Sequence, residues 1–363
     1  MNQPITDVEP APKRRKRLIV SLALGMVFIG GLAIVALSPR DPIFHGKPES
    51  QWITNIVYGM SLSEDQNKEQ VQRWRDFGPA GLRVLERGLD VNRGGKYRKF
   101  YSRLTRILPN SVMRLLPAPQ RQADQGARQC VLDLLRRMGE DAHPAWTAVA
   151  RALADENRSV RQLAITYFTH PENDKAFLNQ MPARDKEKLL PLFIRALEDN
   201  HPAQSGLRNN AALALKYYPE HALLVTPALL KALQDPSPNV RLRCAEALNR
   251  VDPVAGSKAG AVTVVAQLLS NPDYQVSGQA AYALRQFQHD ADLAVTALIE
   301  ALHGTNRAVV GASAVWSLQW AFPSHTNRTI PELRKAGELK DNAGGYARSA
   351  VQFLEANPII KRQ

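Results

Sequence analysis

The sequence predicts an all-α fold, an alpha-alpha superhelix of stacked helix pairs preceded by one N-terminal transmembrane helix. Three observations predict it. A helical phrase, AlaLeuAlaAspGluAsnArgSerValArg at 152–161, returns at 232–241 and more loosely at 267–276 and 301–309. Leu153, Leu197, Leu233, Leu269, Leu302 and Leu339 then recur at steps of 44, 36, 36, 33 and 37 residues, the length of two helices, a tight turn and a linker. The third is Leu18 to Leu37, free of charge; at 1.5 Å per residue about 20 helical residues span the hydrocarbon core of a bilayer.

The elements follow in chain order. Residues 1–17 form a basic tail ending in LysArgArgLysArg at 13–17, which favours the non-translocated side of a membrane. Residues 18–37 are expected to be a signal anchor, with secretion after signal cleavage as the alternative. That places the protein in a bacterial-type inner membrane as a single-pass chain, with the N-terminus cytoplasmic and the repeats in the periplasm. Residues 38–69 read as a linker and short helical cap, the linker marked by Pro39 and Pro42 and the cap helix expected over 47–58. Residues 70–144 hold divergent first repeats: one helix, a Gly-Pro corner, and a second helix with Leu82, Leu85 and Leu89 on one face. Within them 90–122 is a basic insertion, with eight Lys and Arg from Arg93 to Arg121. Residues 145–357 carry the regular helix pairs, and 358–363 form a short tail.

In one regular unit Leu233 ends the first helix, AspProSerPro at 235–238 breaks it, and Val240, Cys244, Ala245 and Leu248 fall on one face of the second. Alanine-rich second helices at 208–216 and 278–285 permit close approach between layers.

These units resemble HEAT-like repeats, and more distantly armadillo or bilin-lyase-like α-solenoids. The residues that carry the resemblance are Asp155, Asp199, Asp235 and Asn271 at the turns, the pairs Val160-Arg161 and Val240-Arg241, and the alanine-rich runs at 211–215 and 280–284. A membrane-tethered chain with a tryptophan before its repeats also resembles bacterial HEAT proteins for which no shared activity is implied. The resemblance implies that turn aspartate and helix arginine pair structurally, Asp235 with Arg241. Ser277 and Val310 stand where an arginine would follow the valine, which interrupts the pattern there.

Composition narrows the chemistry. With 44% hydrophobic residues and ordinary Gly and Pro the chain is neither disordered nor fibrous. Its net charge of +13 falls to +10 beyond the tail, a balance that suits anionic partners. Cys130 and Cys244 read as small buried hydrophobes. The eight histidines never recur with metal-ligand spacing, and GlyGlyLysTyr at 94–97 lacks the phosphate-loop pattern; no metal, cofactor or catalytic residue is expected.

The expected surface is a groove lined by second helices, with candidates Arg161, Arg208, Asn209, Arg241, Arg243, Arg285, Trp316 and Trp320. The function expected is a non-catalytic membrane-tethered scaffold binding a protein or peptide, acidic segments being favoured, with the bilayer held through Leu18 to Leu37. Alternatives are nucleic acid or another anionic polymer on the basic surface, which export would disfavour, and an enzyme whose site is assembled across repeats.

Overall fold

The computed structural model of the chain describes residues 42–90, 102–106, 121–169 and 177–357. It divides into two units, Met1–Leu134 and Leu135–Gln363.

The first unit opens with a feature not read from the sequence. Strands β1 (Ile43–Phe44) and β2 (Lys47–Pro48) pair antiparallel around His45 and Gly46, both at positive φ, 45° and 75°. Two positive φ values in a two-residue loop are what a primed hairpin turn requires. Helix α1 (Glu49–Thr54) therefore starts after Pro48 and ends earlier than expected. Trp52 Nε1 donates to Phe44 O at 2.7 Å. Its ring packs edge-on against Phe44, Trp74 and Phe77 at 5.2–6.3 Å, in the geometry that the aromatic quadrupole favours. Ser63 and Gln66 form a capping box for α2 (Glu64–Asp76). The corner follows at Gly78, whose φ of +56° suits glycine, and α3 (Gly78–Gly88) buries Leu82 and Leu85. Helix α4 (Arg121–Met138) supplies Asp133, whose Oδ2 accepts from Gly59 N at 2.8 Å.

The second unit is built from helix pairs. They are α5 (Trp146–Ala152) with α6 (Arg158–Thr169), α8 (Ala183–Leu197) with α9 (Ser205–Leu215), and α10 (Ala222–Ala232) with α11 (Pro238–Val251). There follow α13 (Ala261–Gln267) with α14 (Tyr274–Leu284), α15 (Ala291–His303) with α16 (Arg307–Ala321), and α17 (Thr326–Gly337) with α18 (Asn342–Ala356). Two short helices, α7 (Phe177–Gln180) and α12 (Pro253–Lys258), lie between pairs. The second helices α6, α9, α11, α14, α16 and α18 pack on one another in succession and form one layer; first helices such as α13, α15 and α17 form the other. An amphipathic helix pair cannot bury its apolar face alone, so stacking makes the core continuous. Small residues set the close spacing of the second-helix, or inner, layer: a Cβ added at Gly311 would come within 2.7 Å of Ala343 Cβ.

The transmembrane expectation is corrected. Among the described residues no helix is long and apolar enough to cross a membrane, and residues 18–37 lie outside them. The longest described helix, α4 at 18 residues, carries Arg128, Asp133, Arg136 and Arg137. An uncharged run has the length that crossing demands, but the described helices are amphipathic and bury one face on neighbouring helices. The signal anchor, the bilayer partner, the inner-membrane location with exported repeats and the membrane-tethered form of the scaffold are withdrawn. Most of the basic insertion also falls outside the described residues.

Candidate peptide-binding face

Three of the expected groove residues, Arg161, Arg208 and Arg241, are placed by the turns between helices. Asp155, Asp199, Asp235 and Asn271 each accept, through Oδ1, the amide two residues on, at 2.8–3.1 Å. This closes an Asx-turn at the end of each first helix. Arginines of the second helices then bind the turns. Arg161 donates to Asp155 O at 2.9 Å and to the Asp199 carboxylate at 3.0 Å. Arg208 forks onto the Asp235 carboxylate at 2.6 and 3.1 Å and also donates to Asp199 O and His201 O. Each of these two guanidiniums donates to carbonyls at its own turn and to a carboxylate of the next repeat, supplying donors to acceptors that a helix end leaves without partners.

The expected Asp235–Arg241 pair takes a different form. Arg241 donates to the backbone carbonyls of Asp235 and Pro236 at 2.8 and 3.2 Å, because Arg208 holds the carboxylate. Asn271 carries no charge for an arginine to neutralise, and the ladder pauses at α14, where Ser277 donates to Asp273 O. It resumes with Arg307, which forks onto Asp341 at 2.7 and 3.0 Å. The Arg307 hydrogen bond and the Gly344 amide hold the Asp341 carboxyl down, at about 2.

The remaining expected residues lie on the exposed face of the inner helices. Asn209 donates to Asn210 Oδ1 at 3.2 Å. Arg243 joins Glu246 at 2.7 Å and reaches Gln279 Oε1 of α14 at 2.9 Å. The Arg285 guanidinium lies 4.0 Å from the centre of the Tyr282 ring. Trp316 and Trp320 are 50% and 51% exposed, with ring centroids 6.1 Å apart. Trp320 also lies 4.8 Å from Phe353 of α18. Large aromatic rings left half in water on a rigid helix face are an informative surface, since isolated apolar exposure is ordinary and grouped aromatic exposure is not.

The sequence reading missed one row. Tyr217, Arg250, Gln286, Trp320 and Phe353 follow the buried Leu215, Leu248, Leu284, Leu318 and Val351 at one spacing, so successive inner helices present them at equivalent positions. Aligning the second helices on those apolar residues would have found it.

Among the described residues no group of His, Cys, Asp and Glu could hold a metal. Cys244 is a free thiol, and burial pushes it up, away from reactivity. A crevice of about 540 Å³ between repeats is lined by Arg161, Arg195, Glu198 and Asp199 among others, with no serine, cysteine or histidine nucleophile.

A family model of HEAT repeats matches residues 226–319. The architecture is HEAT-like. The fold is that of a solenoid of packed helix pairs, consistent with a protein-binding scaffold. No curated protein matches the chain. Two solved structures described as engineered proteins are similar in part. One is 19% identical, covering 58% of this chain and 96% of its own at a TM-score of 0.36. The other is 16% identical, covering 92% of this chain and 91% of its own at a TM-score of 0.41.

Proposed function

We propose that the HEAT-like repeats extend over residues 145–357 and that their inner-helix face binds an extended peptide segment of a protein partner, without catalysis. The observation that carries this reading is the half-exposed pair Trp316 and Trp320, continued by Phe353 on the next inner helix. Tryptophan, tyrosine and arginine are the side chains that dominate binding energy at interfaces. A rigid helix face presents them already ordered, so little conformational entropy is lost when a partner docks.

The anionic-polymer reading has less to support it. Arg161, Arg208 and Arg241 direct donors onto turn carbonyls and carboxylates, whereas a phosphate backbone calls for a run of accessible cations. The expected peptide groove accordingly keeps Asn209, Arg243, Arg285, Trp316 and Trp320 as contact residues, while Arg161, Arg208 and Arg241 act in the framework.

The test is affinity. Peptides selected against the full chain from a displayed library are expected to lose about 2 kcal/mol, roughly thirtyfold in Kd, on Trp316→Ala or Trp320→Ala. Helical circular dichroism is expected to stay unchanged, because both rings are half in solvent. Peptides whose affinity is indifferent to both substitutions would overturn the assignment.

A further inference from the structure

On the same face, on the helices preceding the one that carries Tyr282 and Arg285, the side chains of Lys216, Tyr217 and Arg250 meet. Lys216 Nζ lies 5.0 Å from the Tyr217 ring centre and the Arg250 guanidinium 5.6 Å from it. Cations over a tyrosine face are held by its quadrupole, which leaves their N–H groups free to donate. Glu246, the nearby carboxylate, is occupied by Arg243 at 2.7 Å. Among the described residues neither Lys216 nor Arg250 lies within ion-pair distance of a carboxylate. Burial pushes the Lys216 ammonium down; Glu246 opposes this, and Arg243 and Arg250 add to it. The cluster is thus three cations against one anion on a partly desolvated surface, where a bound anion would be stabilised more than in open water.

We infer that Lys216, Tyr217 and Arg250 form an anion subsite for a carboxylate or phosphorylated side chain of a peptide lying along the inner helices. The inference rests on the peptide-binding reading of that face. A peptide is favoured over a nucleic acid because beyond Lys216 and Arg250 the row ends in the aromatic rings Trp320 and Phe353. Bridges from α11 to α14 make the path continuous: Arg243 to Gln279, and Asn249 Nδ2 to Gln286 O at 2.9 Å. The geometry also fixes a spacing. From α11 to α16 is two helix-to-helix steps, about 16–20 Å at 8–10 Å per step, which an extended chain covers in about six residues.

The test uses synthetic Gly-Ser peptides carrying a Leu-Pro-Leu anchor and one aspartate or phosphoserine. The two are separated by about six residues, or by spacers about three residues shorter or longer. The six-residue peptides are expected to bind the full chain about tenfold more tightly than their alanine counterparts. That advantage is expected to vanish in the Lys216→Gln/Arg250→Gln variant and to return in part with Arg250→Lys alone. The size of the phosphoserine gain relative to the aspartate gain assigns the natural anion. Affinity that depends on the anchor and on Trp320 but not on the acid overturns the subsite and leaves peptide binding standing. Affinity that depends on the acid but not on the anchor or Trp320 keeps the subsite and removes the aromatic groove. Duplex DNA that displaces the peptides and binds through Lys216 and Arg250 overturns the peptide assignment.

Discussion

Replacing Arg208 with alanine is expected to destabilise the second unit by about 3–5 kcal/mol. The Arg208 and Asp235 side chains are only 5% and 8% exposed, so the substitution leaves a carboxylate in a desolvated place. It also removes the donor to Asp199 O and His201 O. Because a solenoid's stability is a sum of repeats and nearest-neighbour contacts, the loss should centre on α9 to α11 rather than spread evenly. Urea unfolding of the variant measures the size, and amide hydrogen exchange its position. Arg161→Ala offers the comparison: its pair with Asp199 is 18% and 23% exposed, so a smaller loss is expected. Equal losses at the two sites would mean that burial does not set the strength of the ladder.

Trp74→Ala is expected to cost the first unit about 3–5 kcal/mol, the range for truncating a buried aromatic residue. Trp74 is 3% exposed and meets Trp52 and Phe77 edge-on. The hairpin depends on the same cluster through Phe44, so fast amide exchange over residues 43–77 should accompany the loss. A variant that keeps slow exchange there would show that β1 and β2 are held by other contacts.

The helix pairs were legible in the sequence because each unit repeats one set of physical demands. A leucine closes the first helix, an aspartate or asparagine turns the chain, and a valine opens the second helix with its apolar stripe. What was not legible follows equally from physics. A hairpin with strands of two residues has no period to detect, and only His45-Gly46 marks it. Arginine partners are set across repeats: Asp235 binds Arg208, 27 positions earlier, while the nearer Arg241 reaches only carbonyls. Charge was an equally incomplete guide. Arg161, Arg208 and Arg241 look alike in sequence to Arg243, Arg250 and Arg285, and only their acceptors separate framework from surface. The uncharged run at 18–37 met the length criterion for a membrane helix, yet length and charge describe a segment rather than its surroundings. Trp316 and Trp320 shared a face by spacing, and the exposure of that face came from the stack.

A peptide received on the inner-helix face must slow amide exchange there, which hydrogen exchange of the full chain, with and without a saturating selected peptide, measures. The expected result is added protection in α14, α16 and α18, with α13, α15 and α17 unchanged. Protection confined to the first-helix layer, or to the turns that hold the arginine ladder, would contradict binding on that face.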